Sequence, residues 1–227
     1  MSSKQFACLL IHGFGGGPAE VQPLAADLTQ RGHLVRMPVL KGHTGGRKDL
    51  RGVRYTDWIE AAETAFLELQ AHNEKIIIAG FSMGGLIAVN LAVKYEVAAL
   101  ITMNTPIYHW DFRVIFKNIG SDIKSRKSVH TRRYLKNCSA FPLGALLNFR
   151  ILLDTTIPLL PQITCPFYIV QACEDDTARK ESAVYIRDHI ASVRKQLDYI
   201  EGTGHQLLES PAAGEVISKV GKFFESL

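Results

Sequence analysis

Lys75-Ile76-Ile77-Ile78-Ala79-Gly80-Phe81-Ser82-Met83-Gly84-Gly85-Leu86-Ile87-Ala88-Val89 is the stretch around which this chain is organised. Three β-branched residues in a row suit a buried strand, and the apolar run from Met83 to Lys94 is long enough for a helix lying under a sheet. Between them, Gly80-x-Ser82-x-Gly84 has the pattern of a nucleophile elbow. Such a turn holds its serine in a strained backbone conformation, with glycines on either side where neighbouring chain approaches closely. The hydroxyl then stands clear of the sheet, and the N–H groups that follow it face any negative charge developing there.

The rest of the chain repeats the strand–helix rhythm. Residues 6–11 (Phe-Ala-Cys-Leu-Leu-Ile) form a continuous apolar run that ends in His12-Gly13-Phe14-Gly15-Gly16-Gly17-Pro18, as a buried parallel strand followed by a glycine-rich loop does. A helix is expected over 18–32, with Val21, Leu24, Ala25 and Leu28 on one stripe and Gly32 as its stop. Further strands are expected at 33–37, 97–103, 165–171 and 195–200, and further helices at 55–71, 181–190 and 211–224. The reading is an α/β fold, a mostly parallel, doubly wound sheet with helices on both faces. The rhythm stops at Asn104-Thr105-Pro106. Residues 107–161 show only short helical candidates broken by Pro142, Gly144 and Pro158, and read as a cap inserted into a core made of 1–106 and 162–227.

A serine hydroxyl is a poor nucleophile near neutral pH, so Ser82 needs a base, and the base needs an orienting acid. In a doubly wound sheet the crevice opens at the C-terminal ends of the strands. Two loops there supply the groups: Cys173-Glu174-Asp175-Asp176-Thr177 and Glu201-Gly202-Thr203-Gly204-His205. His205 is the expected base. Asp175 is the first choice for the acid, with Asp176 the alternative, since adjacent loop side chains point different ways. Met83 N–H and Phe14 N–H are the expected oxyanion donors. His12 and His43 read as histidines that shape these loops.

Other chemistry is not indicated. The glycine run after the first strand neither closes in Gly-Lys-Ser/Thr nor meets Gly-x-Gly-x-x-Gly, so no phosphate or dinucleotide loop and no cofactor are expected. Cys8, Cys138, Cys165 and Cys173 have no Cys-x-x-Cys spacing, and the histidines carry no metal spacing. Free thiols, the lack of an apolar leader and the lack of an apolar run of about 18 residues point to a cytoplasmic protein without an integral membrane segment. The formal charge of +4 over 227 residues is mild but locally concentrated. Between Ile107 and Arg150, Arg113, Lys117, Lys124, Arg126, Lys127, Arg132, Arg133, Lys136 and Arg150 stand against only Asp111 and Asp122. That reads as a solvated face, with weak contact to anionic substrates or lipid surfaces as the sharper alternative. Nucleic-acid binding is not expected, and the sequence is silent on oligomeric state.

Taken together, His12-Gly13-Phe14-Gly15-Gly16, Leu40-Lys41-Gly42-His43, Gly80-Phe81-Ser82-Met83-Gly84-Gly85, Asp175 and Gly204-His205 resemble the small bacterial carboxylesterases and monoacylglycerol lipases of the α/β-hydrolase fold. The likeness runs from about Ala7 to the C-terminus and is weakest across the cap. It implies hydrolysis of short- to medium-chain carboxylic esters through an acyl-serine intermediate, without a cofactor. It also implies Ser82 as nucleophile, His205 as base, Asp175 as acid, and Phe14 and Met83 as the oxyanion hole. The family usually follows the acid with apolar residues and a proline. Here Asp176-Thr177-Ala178-Arg179-Lys180 follows, which leaves Asp175 and Asp176 both open. Thioester, lactone or carbon–carbon hydrolysis could use the same residues, as could a receptor of this fold that binds without turnover.

Overall fold

A computed structural model describes residues 5–73, 75–108 and 141–227. Six strands form one parallel sheet: β1 (Ala7–Ile11), β2 (Leu34–Arg36), β3 (Ile76–Phe81), β4 (Ala99–Met103), β5 (Phe167–Ala172) and β6 (Lys195–Ile200), in the spatial order β2-β1-β3-β4-β5-β6. The chain runs outward from β1 to β2, then returns to place β3 on the other side of β1. That reversal makes the β1/β3 boundary the switch point, where loops from neighbouring strands diverge and leave a crevice.

Alternation of side chains along the strands builds two cores. Leu9, Ile11, Ile76 and Ile78 pack into one cluster with Trp58, Phe66 and Leu86, from α2 (Tyr55–Gln70) and α3 (Met83–Lys94). Cys8, Leu10, Ile77 and Ala79 point the other way, toward Leu24, Leu28 and Val220. Those last three residues lie on α1 (Gln22–Gln30) and on the C-terminal helix Ala213–Glu225. Because both faces are covered, β1, β3, β4 and β5 are buried throughout, whereas the edge strands β2 and β6 carry exposed polar residues.

The element boundaries follow local chemistry. The helix expected over 18–32 opens as a 3₁₀ turn, Pro18–Val21, before α1 begins. Pro23 sits in the first turn of α1, where its missing N–H leaves no intrahelical bond unmade. Asp57 marks the start of α2 by accepting the Arg54 N–H at 2.8 Å.

The structure corrects the reading of residues 141–162. Gly144 does not break them: a 14-residue helix, α4 (Leu143–Thr156), runs through it, ends just before Pro158 and is followed by the 3₁₀ turn Ile157–Gln162. Gly144 falls in the first turn, and Pro158 lies at the start of the 3₁₀ turn, where no N–H is required. The joined segment Leu143–Gln162, which holds an 18-residue window of mean hydropathy 1.4, is long and apolar enough to cross a membrane by length and composition. The sequence reading did not anticipate this. Its inner face, Ala145, Phe149, Leu152 and Leu153, packs into the α2/α3 core, and Thr156 Oγ1 accepts the Asn90 amide at 2.8 Å. The basic cap residues from Arg113 to Lys136 lie outside the described residues.

After α4 come β5, α5 (Glu181–His189), β6 and the closing helix, α6 (Ala213–Glu225). The strand ends stay level: Ile11 pairs Gly80, Phe81 pairs Met103, Met103 pairs Val170, and Ala172 pairs Ile200. As a result the loops that begin at His12, Ser82, Asn104, Cys173 and Glu201 all emerge along one edge.

Close backbone packing fixes α3 beneath that edge. A Cβ on Gly84 would lie 2.1 Å from the Ile11 carbonyl oxygen, and one on Gly80 would lie 2.2 Å from the Gly84 carbonyl oxygen. Both obstructions are backbone and cannot swing aside. Gly84→Ala is therefore expected to destabilise the fold by about 3 kcal/mol or more. At roughly 2–4 °C per kcal/mol for a chain of this size, thermal unfolding should show Tm lowered by about 6 °C or more.

Candidate active site

Ser82 sits between β3 and α3 with φ 51° and ψ −119°, a conformation L-residues rarely hold. Its N–H is fixed to the Met103 carbonyl at 2.8 Å, and its carbonyl accepts the Gly85 N–H at 3.0 Å. The side chain is thereby lifted off the sheet while remaining largely buried.

The structure brings His205 and Asp175 to this hydroxyl and leaves Asp176 away. His205 Nε2 lies 3.0 Å from Ser82 Oγ, and His205 Nδ1 lies 2.8 Å from Asp175 Oδ2. The Asp175 carboxylate is fully buried. Its other oxygen accepts the N–H groups of Thr177 and Ala178 at 2.7 and 2.9 Å. These bonds hold the carboxylate in a tight Asx turn. With a carboxylate facing Nδ1, that nitrogen carries the proton, which leaves Nε2 free to accept from the Ser82 hydroxyl. Asp176 is exposed and accepts the Thr177 hydroxyl at 3.2 Å. The Phe81 ring, 5.1 Å from the imidazole centroid, supports His205 from below the turn.

The loop after β1 is braced from three sides. Gly13 C=O accepts from His12 Nδ1 at 2.9 Å, while Gly13 N–H donates to Glu20 Oε2 at 2.9 Å. Gly15 N–H donates to His43 Nε2 at 3.0 Å. In a trans peptide, C=O and N–H point in opposite directions. Holding Gly13 C=O toward His12 therefore turns Phe14 N–H away from the sheet. Neither Phe14 N–H nor Met83 N–H has a hydrogen-bond acceptor among the described residues. The Phe14 ring packs against Trp58, Phe141 and Phe149, with centroids 5.6, 4.8 and 5.4 Å away.

Both bracing histidines need to be neutral, since each accepts a backbone N–H. His12 Nε2 accepts from Leu40 at 3.2 Å, and His43 Nε2 accepts from Gly15. Burial pushes the pKa of His12 down from 6.5 to about 4 and lowers that of His43. Glu20, by contrast, is raised by burial, offset in part by the Gly13 N–H.

Sequence reasoning missed Glu20 and Asn104. Glu20 links the β1 loop to Gln206, whose amide donates to its second oxygen at 3.3 Å. Only the packing of the Pro18–Val21 turn under the loop brings it there. Asn104 has φ 48° and is fully buried. Its position where the strand rhythm stops was the one available signal. Among the described residues, no group of three or more His, Cys, Asp or Glu side chains is arranged to hold a metal ion.

Comparison with known proteins gives a consistent set of relatives. Residues 8–216 match the family model described as the alpha/beta hydrolase family. The chain is similar to a thermostable monoacylglycerol lipase of Bacillus sp. (strain H-257), 28% identical over 211 residues covering 87% of this chain and 81% of the relative. It is also similar to a carboxylesterase of Bacillus subtilis (strain 168), 25% identical over 228 residues covering 97% and 93%. Among solved structures, one reported for the metagenome-derived lipolytic enzymes LipS and LipT superposes with a TM-score of 0.82 at 20% identity, covering 99% of this chain and 95% of that one.

The buried neutral state of His12 gives a pH prediction. In the unfolded chain His12 takes up a proton near pH 6.5; in the fold it does so only near 4. Between those values the unfolded state binds more protons, so stability is fully present above pH 6.5 and falls as pH drops toward 4. A shift of that size corresponds to roughly 3 kcal/mol. Denaturant unfolding at several pH values should show this loss in the wild type and a shallower slope in His12→Gln. The comparison cancels the contributions of Glu20 and the other titrating groups.

Proposed function

This chain belongs to the alpha/beta hydrolase family, and from that premise we propose that it cleaves carboxylic esters through an acyl-serine intermediate. It is a hydrolase of the esterase type. The observation that carries the mechanism is the continuous chain of contacts from Ser82 Oγ to His205 at 3.0 Å and from His205 to Asp175 at 2.8 Å. His205 Nε2 takes the hydroxyl proton as Ser82 Oγ attacks the ester carbonyl carbon. Asp175 stabilises the resulting imidazolium and keeps it aimed. Phe14 N–H and Met83 N–H, both unused within the described protein, receive the carbonyl oxygen as it becomes an oxyanion. The start of α3 adds its helix dipole to the same place. His205 then returns the proton to the departing alkoxide. It next activates a water that releases the acid from Ser82.

Short- to medium-chain acyl esters, monoacylglycerols among them, are the substrate class we assign. The names of the two Bacillus relatives support it, as does the aromatic group of Phe14, Phe141 and Phe149 beside the proposed oxyanion loop. We assign residues 107–161 as the cap over the core formed by 1–106 and 162–227. A cytoplasmic setting and the absence of any cofactor belong to the same reading. The free thiols of Cys8, Cys165 and Cys173 support the former. Weak lipid-surface contact is supported by the exposed apolar stripe Leu143, Leu147 and Ile151 on α4. Co-sedimentation with anionic vesicles should fall in Leu147→Glu and at high salt.

A series of p-nitrophenyl esters of increasing acyl length is expected to show one rate maximum. Ser82→Ala should lower kcat by about 10⁴-fold or more, and a wild type no faster than this variant at every length would overturn the proposal. Asp175→Asn should cost about 10³–10⁴-fold in kcat, by analogy with other serine triads. Asp176→Asn, removing an exposed carboxylate, should change the rate by less than about 2-fold.

A further inference from the structure

Asn104 occupies a position for which the proposed chemistry gives no direct use, yet its side chain is fully committed. It follows the last residue of β4 and is completely buried, with φ 48°. The left-handed region is costly for most L-residues, and asparagine is among the side chains that tolerate it. From there the Asn104 amide nitrogen donates to the His205 carbonyl at 2.8 Å and to the Gly204 carbonyl at 3.2 Å. Its amide oxygen accepts the Ala172 N–H at 2.7 Å, at the end of β5 and three residues before Asp175. Its own N–H goes to Val170 C=O at 2.9 Å, and the preceding residue, Met103, supplies the carbonyl that holds the Ser82 N–H.

The side chain thus ties the end of the strand that leads to Asp175 to the loop that carries His205, while the neighbouring Met103 carbonyl holds Ser82. The task needs a short group that both donates twice and accepts once. A carboxylate would set an oxygen against two carbonyl oxygens, and an aliphatic side chain would leave the buried Ala172 N–H without its acceptor and take the donor from the Gly204 and His205 carbonyls. The other side-chain support on the His205 loop is Glu174, an exposed carboxylate that accepts the N–H groups of Gly202 and Thr203 at 3.3 and 3.0 Å. That pair fixes the base of the loop, whereas Asn104 fixes the residue bearing the imidazole.

We propose that Asn104 is a positioning residue: through the Gly204 and His205 carbonyls it sets the reach of the His205 imidazole toward Ser82 and Asp175. It touches neither substrate nor the reacting atoms. The inference rests on the triad reading above, but its decisive readout, the His205–Asp175 hydrogen bond, exists without substrate.

Two variants separate the amide from the backbone. Asn104→Gly keeps a residue at ease at positive φ and removes all three side-chain bonds. Asn104→Asp keeps the acceptor for Ala172 N–H and removes the two donors. Both should remain folded by circular dichroism. In each, the low-field proton signal of His205 Nδ1–H, assigned by its loss in His205→Gln, should broaden or vanish. On the ester that the wild type cleaves fastest, kcat should fall by about 10–100-fold, the scale of a misplacement near 1 Å, with KM changed by less than about 3-fold. The acid limb of the kcat/KM profile should move as well. Folded variants that keep the low-field signal and the wild-type kcat, losing only Tm, would overturn the proposal and leave Asn104 a structural residue. If the wild type hydrolyses no ester, the esterase reading fails alone. The proton signal in the two variants still decides the role of Asn104.

Discussion

The backbone at Ser82 can hold φ 51°, ψ −119° only because, at the turn, α3 meets the strands backbone to backbone through glycines. Gly84 lies where any Cβ would enter the Ile11 carbonyl, and Gly80 lies where one would enter Gly84 itself. Relaxing the turn would require α3 to move away from β1, and β1 is buried on both faces between α1 and α2. The strain at one residue is therefore carried by the packing of the whole sheet. This is how a hydroxyl comes to stand in the crevice at a fixed height.

A second constraint is electrostatic. The Asp175 carboxylate is fully buried, and Glu20 lies partly buried beneath the neighbouring loop. A buried carboxylate without hydrogen-bond donors is costly. Each is satisfied by backbone N–H groups: Thr177 and Ala178 for Asp175, and Gly13 for Glu20. Two neutral histidines complete the arrangement by accepting N–H groups from the chain on the other side. The loops of the site are thus organised by backbone-to-side-chain bonds. Loops built in this way can be rigid without regular secondary structure.

Much of this was legible along the chain. The continuous apolar runs at Ala7–Ile11 and Ile76–Phe81 could only be strands buried on two faces, because period-two alternation is absent. Trp58, Phe66 and Leu69 recur at helical spacing along α2, and all three are buried. The stretch after Phe141 was misread in part because Gly144 looks like a breaker. Position decides its effect: it falls in the opening turn of α4, where the conformational cost of glycine matters least, whereas at Pro158 the α-helix does give way to a 3₁₀ turn.

The sequence by itself determined the strand–helix order, the elbow around Ser82 and the two loops from which an acid and a base could come, since these depend on local spacing and turn chemistry. It also supplied His205 through its place after the last strand. Only the tertiary structure decided that Asp175 faces His205 while Asp176 faces solvent, because neighbouring loop carboxylates differ only in where the folded backbone aims them. The same holds for Glu20 and Asn104. Glu20 acts on Gly13, seven residues away, and Asn104 acts on Ala172 and His205, 68 and 101 residues away. Contacts at such separations leave no periodic trace in a chain; they exist only once the strand ends have been brought level along one edge of the sheet.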